Sequence, residues 1–326
     1  MSKKVAVIFT GGTIGSTINE GWADVDPTTQ YELLKPYKNN SDIEFFTQSP
    51  YSILSENLSS DEINLLQKAI YDNLNKGFDG IIVTHGTDSL QYCATAVEYA
   101  FSGCNLPIVF VSADYPLEQF GTNGHLNFKA AIEFIKSNIA NGVFVSYKNK
   151  NENAVNIHIA SHILQHSEYN ADIYSINEQP FAVYDDGSVT INYPKSDSKE
   201  SFGIIEYIKN PCILSIESSP GNDYSYCLDK VKAIILKAYH SGTLNTTDKA
   251  FIDFCADAHS KNIPIFIIST DSDVSYISSS VYDNLHLNMI PFSTYISAYM
   301  KIWAGLSLGS DLVNFTKTEI ADEFSF

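Results

Sequence analysis

Positive charge is scarce in this chain of 326 residues: 20 Lys and Arg against 38 Asp and Glu leave a formal net charge of −18. So acidic a surface repels phosphate backbones and anionic lipid, which argues against nucleic acid and membranes as partners. Long apolar runs are missing as well. No stretch approaches the roughly 20 apolar residues that a membrane helix needs. The first apolar run, Val5–Phe9, is broken at once by Thr10-Gly11-Gly12, too soon for a signal-peptide core. Cysteine is sparse and odd in number: Cys93, Cys104, Cys212, Cys227 and Cys255 are widely spread without a C-x-x-C pair. That excludes a disulfide framework and a zinc cluster as readings, and leaves reduced core cysteines in a cytoplasmic protein. Internal repeats and low-complexity tracts are absent. So are the dinucleotide pattern G-x-G-x-x-G, the Walker lysine and any metal-spaced His/Cys/Asp group, so no cofactor and no metal are expected.

What is present is a globular balance, with 44% hydrophobic and 18% charged residues, enough apolar content to bury large cores. Short β-branched runs at Val5–Phe9, Ile81–Val83, Ile108–Val111, Val143–Ser146, Ile213–Ile216, Ala233–Leu236 and Ile265–Ile268 read as strands. Helical spacing marks Ser60–Asn73, Asp88–Phe101, Asn127–Asn138 and Thr247–His259 between them. Nearly continuous apolar strands separated by helices predict an α/β fold with a doubly wound, mostly parallel sheet. The polar, turn-rich stretch Asp185–Ser201 predicts a division. Residues 1–190 would form a larger N-terminal domain, 191–205 a linker, and 206–326 a smaller C-terminal α/β domain.

In doubly wound sheets, ligands bind beyond the carboxyl ends of the strands. Two unusual motifs fall there. Thr10-Gly11-Gly12-Thr13-Ile14-Gly15 follows the first strand, where paired glycines permit a tight turn and leave N–H groups to face an anion or a developing oxyanion. Thr13 beside those donors is a candidate nucleophile; the alternative is a plain turn, with a phosphate or nothing bound. Thr84-His85-Gly86-Thr87-Asp88-Ser89 follows the strand Gly80–Val83 and opens a helix. Thr87 or Asp88 would cap that helix, or project a hydroxyl and a carboxylate into the same cleft, or both.

These two motifs in this order, each after a buried strand, resemble those of the bacterial-type L-asparaginases, and the resemblance spans nearly the whole chain. Ser55-Glu56-Asn57-Leu58 is similar to the family's substrate-binding loop, and Asn123–Asn127 to the segment opening its next helix. Pro220-Gly221 and Tyr239 resemble the cytoplasmic (type I) branch. The resemblance implies two-step amide hydrolysis: Thr13 attacks the side-chain amide of L-asparagine, ammonia leaves, and water hydrolyses the acyl-enzyme. It also implies that Thr87 and Asp88 belong to a second Thr–Lys–Asp group, with Asp88 on the substrate ammonium. Ser55 and Glu56 would hold the ammonium and carboxylate ends of the substrate. Gly12 and Gly86 would line its site, and the Ala113 backbone would face the leaving group. A homodimer or homotetramer is implied too.

The chain departs from the pattern in its proton relay. Where the family's lysine is expected, Ile157–His166 contains none, and counting from Asp172 and Pro180 puts that position near His162. An imidazole there would accept a proton near neutral pH; Lys148 or Lys150 folding back, and purely structural roles for His158, His162 and His166, are the alternatives. In Glu20–Asp26, Trp22 stands where the family's lid has a tyrosine, and reads as a hydrophobic lid anchor, because indole donates but cannot accept a proton. Ser112-Ala113-Asp114-Tyr115 puts an acid where the family has a cation. His240-Ser241-Gly242-Thr243 stands where the cytoplasmic branch has a glycine–asparagine turn. Three functions are therefore open: an asparaginase with a modified relay, a catalytically weak amino-acid sensor, and the amidase-like subunit of a tRNA amidotransferase. The last would be expected to carry an additional N-terminal domain and a partner chain, whereas this sequence starts directly at its first strand.

Overall fold

The computed structural model describes residues 2–19, 21–26, 28–195, 201–271 and 274–324. The chain forms two compact units, Met1–Tyr207 with Ile320–Phe326, and Ile208–Glu319. The first contains strands β1 (Lys3–Phe9), β2 (Ser16–Asn19), β3 (Trp22–Val25), β4 (Ile43–Gln48), β5 (Gly80–Thr84), β6 (Pro107–Val111), β7 (Gly142–Tyr147), β8 (Val155–Ile159), β9 (Ala182–Asp185) and β10 (Ser188–Ile191). Its helices are α1 (Ser60–Leu74), α2 (Leu90–Phe101) and α3 (Gly124–Ser137). Eight strands share one sheet in the order β10-β9-β8-β7-β6-β5-β1-β4. Pairing is parallel from β4 to β7 and antiparallel from β7 to β10.

Both faces of the central strands are dry, and this explains their continuous apolar sequence. Successive strand residues point to opposite faces. Val5, Val7, Ile82, Val109 and Phe144 pack with Phe128, Ala131 and Ile135 of α3. The alternate set Ala6, Ile8, Ile81, Val83, Ile108 and Phe110 is buried as completely. The chain runs from β1 outward to β4 on one side and then returns to β5 on the other side of β1. That reversal makes the carboxyl ends of β1 and β5 the topological switch point, where a crevice is expected.

The second unit has a four-stranded parallel sheet, β11 (Ile213–Glu217), β12 (Ala233–Lys237), β13 (Ile265–Ile268) and β14 (Leu287–Ile290), in sequence order. Helices α4 (Lys249–Ser260), α5 (Tyr295–Leu308) and α6 (Leu312–Lys317) complete it. Phe251 and Phe254 of α4 pack on Ile234, Leu236, Ile265 and Ile267.

The predicted strands are all present and the α/β class holds, with three antiparallel strands added at one edge. The polar stretch Asp185–Ser201, expected to mark the division, begins as a hairpin. Asp186 and Gly187 take positive φ (44° and 83°), the geometry of a tight turn between paired strands, and join β9 to β10. Its residues 196–200 lie outside the described residues. Residues beyond it still belong to the first unit: Ile205 and Tyr207 exchange backbone hydrogen bonds with the Gln67 and Asn64 side chains of α1.

Candidate active site

The two glycine loops after β1 and β5 are stitched together before any side chain with chemistry is considered. Thr10 Oγ1 donates to the Thr84 carbonyl at 2.6 Å, tying the strand ends. Ile53 N donates to Thr10 O and Gly12 N donates to Ile53 O, so the 51–58 segment lies against the first loop. Gly12 has φ 73° and ψ −173°, a conformation open to glycine. A Cβ on it would lie 2.2 Å from Gly86 Cα, and one on Gly86 would lie 2.5 Å from Ser55 Oγ. Gly12, Gly86 and Ser55 therefore meet at a point where no further carbon fits. The Gly12 N–H is taken by the Ile53 carbonyl, so it is not one of the N–H groups of this loop left to face a ligand.

Thr13 and Thr87 follow the two touching glycines in sequence, and both are half-buried. Asp88 is exposed, and its Oδ2 accepts a hydrogen bond from Ser55 Oγ at 3.2 Å, while Ser55 Oγ accepts from Asp88 N at 3.2 Å. Ser89 Oγ closes the group by donating to Ser55 O at 2.5 Å. Helix α2 starts at Leu90, and Ser89 at its N-cap makes no side-chain capping bond. The capping reading of Thr87 and Asp88 is thus replaced: the Asp88 carboxylate is turned to Ser55. The loop holding Ser55 is fixed in turn by the start of α1, where the Ser59 and Glu62 side chains form a capping box. Glu56, next to Ser55, is exposed. His85 is buried, its Nδ1 donating to the Gly86 carbonyl at 2.9 Å; burial pulls the imidazole down to about 4, so the ring is neutral.

A cavity of about 760 Å³ opens beside Thr87 and Asp88, lined also by Asp114, Lys148, His166 and Asp172. Ala113, two residues beyond the end of β6, is fully buried. Asn123 shapes the far wall: its Oδ1 accepts from Asp114 N, its N donates to Asp114 Oδ1, and its Nδ2 donates to the Lys148 carbonyl. Sequence reading finds the Asn123–Asn127 motif without this role. Only the reciprocal spacing of an Asn and an Asp across a loop would have signalled it.

His162 is not part of this group, which corrects the sequence expectation. It is 1% exposed, with Nε2 2.7 Å from the Asp322 carbonyl and Nδ1 3.3 Å from the Tyr193 hydroxyl. The reason is local. After β8 the chain makes a 3-10 turn, Ala160–His162, held under α2 by Thr95 and Glu98. It reaches the cavity only from Gln165 onward. His158 is buried against Ser175, and burial pulls its ring down to about 3. Lys148 and Lys150, the other cations considered for the relay, do line the cavity. Trp22 is 80% exposed at the turn end of the β2–β3 hairpin, so the anchor reading is corrected as well: its ring is not packed into the first unit. Glu20 lies outside the described residues. No group of three or more His, Cys, Asp or Glu placed to hold a metal occurs among the described residues.

The family model "Asparaginase, N-terminal" matches residues 4–197, more than half of the chain. The chain belongs to the asparaginase family. Within its fold, the L-asparaginase from Thermococcus kodakarensis superposes with a TM-score of 0.84 at 18% identity, covering 99% of each chain. L-asparaginase I from Vibrio cholerae gives 0.81 at 17% identity over 100% of each. Among curated proteins, similarity is found to a glutamyl-tRNA(Gln) amidotransferase subunit in several archaea. The Methanosphaera stadtmanae protein is 29% identical over 61% of this chain and 47% of its own length. The Methanosarcina acetivorans protein is 27% identical over 82% and 64%. The chain thus spans about half to two thirds of the length of these curated relatives.

Proposed function

We propose that the protein hydrolyses the side-chain amide of L-asparagine to L-aspartate and ammonia, with Thr13 as nucleophile. The observation that carries this reading is the contact of Gly12 with Gly86 and Ser55, which gathers the Thr13 turn, Thr87, Asp88 and Ser55 at the switch point. Thr13 Oγ attacks the amide carbon and loses its proton. The C–N bond breaks as nitrogen gains a proton and leaves as ammonia. Water then adds to the Thr13 ester, and aspartate leaves with the hydroxyl restored. Asp88, positioned by Ser55, holds the α-ammonium, and Ser55 and Glu56 hold the remaining polar ends of the substrate. Gly12, Gly86 and the Ala113 backbone line the reacting amide, and Trp22 rides on the hairpin that covers it. The protein works in the cytoplasm as a homodimer or homotetramer. No helix among the described residues is long and apolar enough to cross a membrane.

A second reading has a specific support: the curated relatives include glutamyl-tRNA(Gln) amidotransferase subunits. In that reading the same site releases ammonia for a tRNA-bound acceptor. The two are separated by ammonia release from free L-asparagine, L-glutamine and D-asparagine by the purified chain. Turnover of L-asparagine without tRNA or a second protein supports the hydrolase, and turnover only when both are added supports the amidotransferase reading.

A further inference from the structure

The five cysteines divide by environment. Cys93, Cys104 and Cys255 are buried, and burial pushes each of their thiols up, away from the thiolate form that reacts. Cys212 and Cys227 belong to no core: the first is half-buried and the second exposed. The expectation that all five are core cysteines is therefore corrected for these two. They also share one small cavity of about 390 Å³ in the second unit, lined besides by Ile213, Leu214, Asp229, Lys230 and Val231.

The backbone explains why two thiols apart in sequence come to one cavity. Cys212 directly precedes the edge strand β11, and its carbonyl accepts a hydrogen bond from Lys232 N at 3.0 Å, just ahead of the Ile213–Ala233 pair. Val231 N donates to Leu228 O at 3.1 Å, so the chain turns immediately before Lys232. Cys227 stands on one side of that turn, and Lys232, the residue bonded to Cys212, on the other. The Cys212 thiol donates to the Asn210 carbonyl at 3.3 Å, from a residue whose φ of 54° lies in the left-handed region. Cys227, exposed, is the sulfur that a reagent from solvent meets first.

We propose that Cys212 and Cys227 are a redox pair, which a small-molecule disulfide of the glutathione class oxidises to a disulfide stapling edge strand β11 to the turn before β12. The Cys227 sulfur gives up its proton and attacks one sulfur of the reagent, whose S–S bond breaks; the other half leaves and takes up a proton. The Cys212 sulfur then gives up its proton and attacks Cys227 Sγ, and the second half of the reagent leaves as a thiol. Two protein thiols lose two electrons and two protons, and the reagent gains both. Pairs of this kind in a reducing compartment are transient and sense oxidation rather than hold the fold.

Intact mass and peptide mapping of the purified full chain, before and after incubation with glutathione disulfide, test the pair. The expected product is lighter by two hydrogen atoms, and its digest contains one cross-link, joining Cys212 to Cys227; dithiothreitol restores the original mass. In Cys212→Ser the reaction should stop at one glutathione on Cys227, and Cys227→Ser should stay unmodified. A cross-link closing a loop of about 15 residues constrains the unfolded chain, so the oxidised wild type should melt at least about 5 °C above the reduced form. Either serine variant should abolish that difference. A wild-type chain that keeps glutathione on Cys227, links Cys227 to another cysteine or does not react overturns the pair, as does a loss of two hydrogens in Cys227→Ser. An oxidised form that melts no higher overturns the staple. None of these readouts depends on the proposed hydrolase.

Discussion

Gly12 and Gly86 approach so closely that a methyl on the first would sit 2.2 Å from the α-carbon of the second. This contact is backbone to backbone, so no side-chain rotation relieves it. It also fixes how far apart the residues that follow, Thr13 and Thr87, can stand.

Alanine at either glycine should therefore be costly, and unequally so. Gly12→Ala meets backbone atoms and a φ of 73°, while Gly86→Ala meets the Ser55 side chain first, at 2.5 Å. Overpacking and backbone strain each cost about 1–3 kcal/mol. Denaturant unfolding should show a larger loss for Gly12→Ala. The double variant Gly86→Ala/Ser55→Gly should regain stability without regaining substrate affinity. Equal losses for the two single variants would argue against the contact.

Ser55→Ala should act on substrate binding more than on folding. It removes both hydrogen bonds between Ser55 Oγ and Asp88, freeing a carboxylate that is otherwise aimed. A lost hydrogen bond to a charged group is worth about 1.5–3 kcal/mol, so KM for L-asparagine should rise at least about tenfold. An unchanged KM would mean that Asp88 does not need Ser55.

The buried carboxyl of Glu98 gives a pH-dependent stability. Burial pushes it from the ordinary 4.5 up to about 8, with the Asp322 charge adding and Lys195 opposing. The folded protein thus holds a proton that the unfolded chain releases at lower pH. Stability from this group is fully present below about 4.5 and is lost as pH rises through about 8. Glu98→Gln cannot ionise, so its unfolding free energy should fall less than that of wild type between about pH 5 and pH 9, by about 2 kcal/mol or more. Parallel pH profiles would contradict the raised value.

The legible parts of the molecule are those where local sequence and burial agree. Strands β1, β5, β6 and β7 are apolar on both faces because both faces are covered, and their runs are unmistakable. The edge strand β4, Ile43–Gln48, is partly exposed, and β10 exposes most of its residues, so neither has that signature. The two glycine loops are legible because Gly11 and Gly12 take positive φ and Gly86 has no room for a Cβ, so each calls for glycine. The histidine is not. That His162 lies away from the cavity while His166 lines it depends on a 3-10 turn tucked under α2, which counting along the chain does not register. Trp22 misleads for a similar reason: hydrophobicity says that a side chain favours cover, not that cover exists at a hairpin tip.

The central claim is that Thr13 is the nucleophile, and the most direct measurement is ammonia release from L-asparagine by wild type and Thr13→Ala side by side. The account predicts steady release by the wild type and a fall on the order of 10³-fold or more in the variant. A Thr13→Ala protein that keeps its rate within threefold of wild type would contradict it.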